Sequence, residues 1–151
     1  MKTFATIIRE MSKLLSQLKA SQYFMKKDAN KLPKQGIYVF YNVDKPIYVG
    51  RSNNIPSRIR GHSTQSASHN TASFGYRLAW ERAARRINIE GKTRNQLMKT
   101  RIFRKIYNDQ LREIAKMRIK AVKIEGQIEQ TIFEVYASME LKTKYNYFNT
   151  H

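Results

Sequence analysis

The sequence predicts an α+β domain, in the broad α/β class: a small, mainly antiparallel sheet of about three strands flanked by helices. Three observations point to it. Two short β-branched and aromatic runs, Gly36–Tyr41 and Ile47–Val49, stand on either side of turn residues. A third such run, Ile119–Ile124, lies far downstream. Around and between these runs the apolar residues recur at helical spacing. At 151 residues the chain falls within one domain's usual range of about 100–200 residues.

Residues 4–18 place Phe4, Ile7, Ile8, Met11, Leu14, Leu15 and Leu18 at helical spacing, which predicts an N-terminal helix in an extension over 1–30. Asn42-Val43-Asp44-Lys45-Pro46 is turn chemistry and joins the first two runs as a hairpin. A short helix should follow, with Asn53 or Asn54 as N-cap and Pro56 in its first turn. Residues 63–73 are small and polar and read as a loop holding His69. Helices are expected over 74–89 and 93–116, the second opened by the capping-box pattern Thr93-Arg94-Asn95-Gln96. Met98, Ile102, Phe103, Ile106, Leu111 and Ile114 mark its expected buried side. The loop and these helices, 63–116, form an insertion. Gly126 leads into a last helix carrying Ile128, Ile132, Val135 and Met139. There is no internal repeat, and the chain reads as one domain with its core over 36–148.

Charge is the strongest compositional signal. Twenty-nine Lys and Arg against eleven Asp and Glu give a formal +18, a field that attracts polyanions. Membrane binding would favour one basic amphipathic helix with large apolar residues opposite. Here the basic residues spread over the chain, which favours nucleic acid over lipid. Ten of them lie between Arg77 and Lys105, Arg85, Arg86, Arg101 and Arg104 included, against only Glu81 and Glu90. A solvated face mixes signs, so this segment reads as a surface that tracks a phosphate backbone. With no cysteine, disulfides and thiolate metal sites are excluded. Any metal must sit on oxygen or imidazole, which leans toward Mg²⁺, Mn²⁺ or Ca²⁺. No membrane-length apolar stretch is present, and the expected location is cytoplasmic.

The hairpin carries Gly36-Ile37-Tyr38 and, ten residues on, Tyr48-Val49-Gly50. The chain then runs Gly50-Arg51-Ser52-Asn53-Asn54-Ile55-Pro56-Ser57-Arg58, with His62 one turn later. Phe133-Glu134 and Lys144-Tyr145-Asn146 follow far downstream. Together these resemble the GIY-YIG nuclease superfamily over some three-quarters of the chain. The departures are Arg51 and Ser52, where the family often has lysine and threonine, and residues 63–133, a longer separation than in the minimal module.

The resemblance implies a metal-dependent DNA endonuclease, acting on DNA that is expected to be double-stranded. Its catalytic positions map to Tyr38, Tyr48, Arg58, His62, Glu134 and Asn146. Glu134 is implied as the ligand of a single divalent ion, Mg²⁺ or Mn²⁺, and Tyr38 as the group that activates water. Phosphodiester hydrolysis fits these residue types: it needs an activated water, cations over the non-bridging oxygens and help for the leaving alkoxide. Arg58 can offer planar bidentate donors to the phosphate, Arg51 adds a second guanidinium, and the i, i+4 spacing turns Arg58 and His62 the same way. A free tyrosine, with pKa near 10, is a poor base. The charges of Arg51, Arg58 and the ion are expected to lower that of Tyr38.

Blander readings stand beside these. Tyrosines in strands usually pack, and that reading is kept for Tyr41 and Tyr145. Glu134 also reads as a solvated helix residue, Asn146 as an aid to backbone geometry, and His62 as a capping or phosphate-binding residue. Trp80 reads as core before stacking platform, and His151 as a frayed end. Two other functions remain open: a basic nucleic-acid-binding protein with a degenerate site, and an RNA-directed nuclease. Nothing in the sequence indicates an oligomeric interface.

Overall fold

The computed structural model describes residues 1–64 and 73–148. Most of the expected polar loop, with His69, and the terminal His151 lie outside the described residues. The chain forms two compact units: residues 1–58 with 117–151, and residues 59–116.

The first unit is built on a three-stranded sheet ordered β2-β1-β3, antiparallel throughout. β1 (Gly36–Asn42) is the central strand, and every residue from Gly36 to Tyr41 is buried, as expected of a strand covered on both faces. Its odd-numbered side, Ile37, Val39 and Tyr41, joins Val49 of β2 (Lys45–Ser52) and Val122 of β3 (Arg118–Lys123) in the core. Ile7, Met11, Leu15 and Leu18 of α1 (Phe4–Ala20) and Phe133 and Ala137 of α6 (Gln127–Leu141) complete that core. The opposite side carries Tyr38 and Phe40. α1 starts at Thr3, whose hydroxyl accepts from the Thr6 N–H at 3.2 Å. A 3₁₀ segment, Lys26–Lys31, links α1 to the hairpin.

Gly36 has φ of +142°, and a Cβ there would overlap the Val122 carbonyl oxygen. Only glycine accepts both that backbone and the close approach of β3. At the turn Val43 sits in the left-handed region with φ of 57°, and the Arg118 guanidinium donates to the Val43 carbonyl at 2.7 Å and to Asp44 at 2.8 Å. A bulge leaves Ile47 unpaired, since Phe40 pairs with Tyr48 and Tyr41 with Pro46. Both outer strands are covered. Phe24 makes a two-bond bridge to Ile119, 2.8 Å each way, and the Tyr145 N–H donates to the Ile47 carbonyl at 3.2 Å.

In the second unit α3 (Ser73–Ala83), α4 (Arg94–Lys99) and α5 (Arg101–Ala115) enclose Tyr76, Ala79, Leu97, Phe103, Ile106, Tyr107 and Leu111. Gly75 lets α3 and α5 meet closely, because a Cβ there would lie 2.7 Å from Leu111. The Thr93–Gln96 capping box forms as the pattern requires. The helix expected over 93–116 is in fact two. Thr100 leaves helical geometry at ψ 137° and its hydroxyl donates to the Leu97 carbonyl at 2.7 Å. The helix expected over 74–89 ends at Ala83.

Three expected faces need correction. Phe4 and Ile8 of α1 and Ile102 of α5 are exposed, so those apolar stripes are narrower than their residues suggested. On α6, Ile128, Val135 and Met139 face solvent, while Gln130, Phe133, Ala137 and Ser138 are buried. Gln130 turns inward because its amide donates to the Ile124 carbonyl at 2.8 Å and so satisfies a buried acceptor. Trp80, expected in the core, is 47% exposed.

Replacing Gly36 by alanine adds positive-φ strain to a backbone clash. The expected loss is at least about 2 kcal/mol of unfolding free energy, read by urea titration. A loss below about 0.5 kcal/mol would show that β3 can retreat without cost.

Candidate active site

Pairing within the hairpin sets the site. Tyr38 lies opposite Gly50, and Phe40 opposite Tyr48. Tyr38 and Tyr48 are therefore diagonal neighbours on one sheet face, as their even spacing anticipates. A Cβ on Gly50 would overlap the Tyr38 phenol ring and hydroxyl. The glycine of the second tripeptide is thus the space into which the tyrosine of the first fits. The Tyr38 and Phe40 rings meet edge to face at 5.9 Å.

α2 (Ile55–His62) follows β2 directly. Asn54 caps it, accepting from the Ser57 N–H at 3.2 Å, and the Ser52 hydroxyl accepts from the Asn54 N–H at 2.9 Å. Half-buried Arg58, on this helix, hydrogen-bonds to the Tyr38 phenol. Tyr38 is 1% exposed, and burial, then the neighbouring Tyr48, push its pKa well above the ordinary value. The charge and hydrogen bond of Arg58 pull it down but are outweighed, and Glu134 adds to the rise. This corrects the expectation of a lowered pKa: desolvation costs the phenolate more than one guanidinium returns. Arg51 is not among the groups that act on it.

Arg51 instead holds Glu134, with Nε 2.9 Å from the carboxylate. It lies opposite Ile37, on the sheet side that α6 covers, so the guanidinium reaches the helix rather than the tyrosines. The side chains are 45% and 20% exposed, so the pair is open to an incoming charge. α6 is tied down one turn earlier by amides. Asn53 and Gln127 exchange hydrogen bonds of 3.2 and 2.7 Å, and Gln130 donates to Asn53 at 3.3 Å. These contacts hold the helix that carries Glu134; Gln127 and Gln130 were not anticipated, and Asn53 was expected only as a candidate N-cap. No sequence signal marked Gln130, because the apolar residues of α6 pointed to the face of Ile128, Val135 and Met139.

Asn146 is a clip on strand β2. Its Oδ1 accepts from the Val49 N–H at 2.8 Å and its Nδ2 donates to the Val49 carbonyl at 2.7 Å, with Thr143 donating to the same Oδ1 at 2.8 Å. The amide completes a strand edge, which favours the backbone reading of this residue. His62 belongs to the second unit, is fully buried, and sets its ring edge-on to Phe74 at 6.2 Å. The structure gives it a packing position. The four arginines of the basic segment are all exposed; Arg101 and Arg104 lie on α5, Arg85 and Arg86 just past α3. Arg85 has a long contact of 3.9 Å with Glu81.

Among the described residues no group of three or more His, Cys, Asp or Glu could hold a metal ion. A single accessible carboxylate fits one class of ion well. Mg²⁺ and similar hard cations bind through one or two carboxylates, keep several waters and take substrate phosphate as further ligand. Glu134 meets that description; a zinc cage is not available.

The raised pKa of Tyr38 has a signed consequence. A phenol neutral in the fold but ionising near 10 when unfolded favours the fold below about pH 10, and that advantage is lost as pH rises. Tyr41, pushed up to about 12 by burial and Tyr23, adds to the same alkaline loss. Above about pH 10 the wild type should therefore lose stability faster than Tyr38→Phe, by up to about 1.4 kcal/mol per pH unit. Parallel pH–stability curves for the two proteins would refute the buried neutral phenol.

Among the described residues no helix is long and apolar enough to cross a membrane. No match is found among curated proteins or among solved structures. The family description "GIY-YIG catalytic domain" matches residues 34–146, a span that begins just before β1 and ends on the Asn146 clip. Strand order, paired tripeptides and the downstream glutamate all fall inside it. The chain belongs to the GIY-YIG nuclease superfamily, and with that membership come nuclease activity and a nucleic-acid substrate.

Proposed function

We propose that this nuclease is a DNA endonuclease that hydrolyses phosphodiester bonds with the help of Mg²⁺ or Mn²⁺. The observation that carries the reading is the meeting of Tyr38, Tyr48, Arg58 and Glu134 around one buried phenol, with Arg51 on the carboxylate. Glu134 would hold the ion. When bound, it supplies positive charge to the phosphate oxygens and the departing alkoxide.

The chain's own groups divide the remaining work. Arg58 keeps the Tyr38 hydroxyl in place and offers its other N–H groups to the phosphate, where they strengthen as charge develops. Tyr38 is a phenol at neutral pH. It can accept a proton from the attacking water at Oη while passing its own to a non-bridging phosphate oxygen, so it need never stand as a free phenolate. Tyr48 lies diagonal to it and lines the same sheet face. Arg51 holds Glu134 until phosphate or cation arrives, then turns to the phosphate as a second cation. Asn146 acts through the strand that carries Tyr48, as a positioning residue. Arg85, Arg86, Arg101 and Arg104 contribute backbone contacts to a duplex, with no sequence preference of their own.

Supercoiled plasmid should be nicked with Mg²⁺ or Mn²⁺ and left intact with EDTA. Glu134→Gln should remove nicking while retaining DNA binding; more than a few per cent of wild-type nicking would overturn the ligand assignment. Tyr38→Phe should fold and lose roughly 10²–10⁴-fold in rate, the usual scale of general acid–base help. An unchanged rate would move that role to Tyr48. Cleavage of RNA but not DNA would keep the chemistry and overturn the substrate.

A further inference from the structure

Helix α5 carries its charges in an order that its own stability does not favour. Its first half presents Arg101, Arg104 and Lys105, with no acidic residue in the first turn. The acids Asp109 and Glu113 come in the second half. A helix N-terminus is the positive end of the dipole and disfavours cations, and the C-terminus disfavours anions. The first turn of α5 runs against this rule, whereas its last turn carries Arg112, as the rule prefers.

The two halves also differ in pairing. In the second, Arg112 reaches Asp109 at 2.8 Å and Lys116 reaches Glu113 at 3.4 Å, the mixed-sign pattern of a solvated face. In the first, none of Arg101, Arg104 and Lys105 meets a carboxylate among the described residues, nor does Lys99 at the end of α4. These four line one shallow groove of about 490 Å³, together with Asn108, Asp109 and Arg112. Asp109, the one acid there, is held by Arg112. From Arg101 to Arg112 is about 16 Å at 1.5 Å per residue, some five steps of 3.4 Å along a duplex strand.

We propose that this groove is a binding site for the sugar–phosphate backbone of duplex DNA, carried by the second unit and distinct from the catalytic residues. Repulsion among four unpaired cations, and the misfit of Arg101 and Arg104 with the helix dipole of α5, are both relieved by a run of phosphates. Asn108 adds a neutral donor of the kind that contacts phosphate oxygens. A concave strip three turns long suits an extended polyanion better than a single anion. Arg85 and Arg86 do not line it, so the groove accounts for the Arg101 and Arg104 part of the basic segment only.

The test is equilibrium binding in EDTA, so that cleavage plays no part and failure of the catalytic reading leaves the result interpretable. Wild type, Lys99→Ala/Arg101→Ala/Arg104→Ala/Lys105→Ala, and a control Lys31→Ala/Lys123→Ala, whose lysines pair with Asp28 and Glu125 outside the groove, are titrated with fluorescent duplexes of two unrelated sequences across a salt series. Circular dichroism first shows that each variant is folded; the four side chains are exposed, and a smaller, two-residue set, Arg101→Gln/Arg104→Gln, serves if the larger one unfolds. Each lost phosphate contact should flatten the log K against log[salt] slope by about 0.9, so the four-residue variant should lose about 3.6 and the two-residue variant about 1.8, equally for both sequences. The control, whose charges are already paired, should stay near wild type. An unchanged slope in the basic variants overturns the proposal. So does a loss confined to single-stranded RNA, or confined to vesicles of phosphatidylserine and phosphatidylcholine, either of which names a different ligand.

Discussion

The candidate active site depends on one close approach: the phenol ring of Tyr38 lying over the bare backbone of Gly50. It buries the tyrosine, and it brings the ring into range of Arg58 and Tyr48. Since the two residues sit opposite each other on adjacent strands, the contact is also a statement of register. A slip by one residue would turn every hairpin side chain to the other face. Ile37 and Val39 would leave the core at the same moment as Tyr38 left the candidate site, so packing energy holds the geometry around Tyr38.

The cost of that arrangement falls on the ionisation of Tyr38. Desolvation, not the adjacent guanidinium, decides the ionisation of Tyr38. A tyrosine placed more loosely would ionise more readily and be held less well. The ion pair between Arg51 and Glu134 is of the opposite kind, exposed and exchangeable, so the carboxylate is kept ready without being deeply committed. Rigid positioning and exchangeable charge thus sit within reach of each other, since the Glu134 carboxylate also acts on the Tyr38 phenol.

Much of this could be read from residue order. β-branched and aromatic runs around Asn42–Pro46 identify the hairpin, Asn54 and Pro56 identify the start of α2, and Thr93 with Gln96 identifies α4, because each is a local signal. Tyr38, Arg58 and Glu134 were legible as a set through spacing and family resemblance. What escaped was decided by tertiary contact. Gln130 faces inward because a carbonyl from another segment waits there, which turned the apparent apolar face of α6 outward. Thr100 breaks a periodic stretch through its own side-chain bond to Leu97. Asn146 spends its amide on Val49, ninety-seven residues away in sequence. The sign of the Tyr38 shift needed its burial, which depends on neighbours that periodicity does not name.

The bulge at Ile47 adds a consequence for how such a chain can vary. Register is strict from Gly36–Ser52 up to Phe40–Tyr48, and the irregularity falls only beyond that point, on the turn side. The unpaired Ile47 has its carbonyl taken by Tyr145, so the extra residue is absorbed without disturbing the ladder behind it. Length changes between Tyr41 and Ile47 therefore meet a stretch already out of step, with Arg118 bracing the loop from β3. That makes the hairpin tip the natural place for insertion in relatives, and for grafting a reporter peptide, while the tyrosines stay in register.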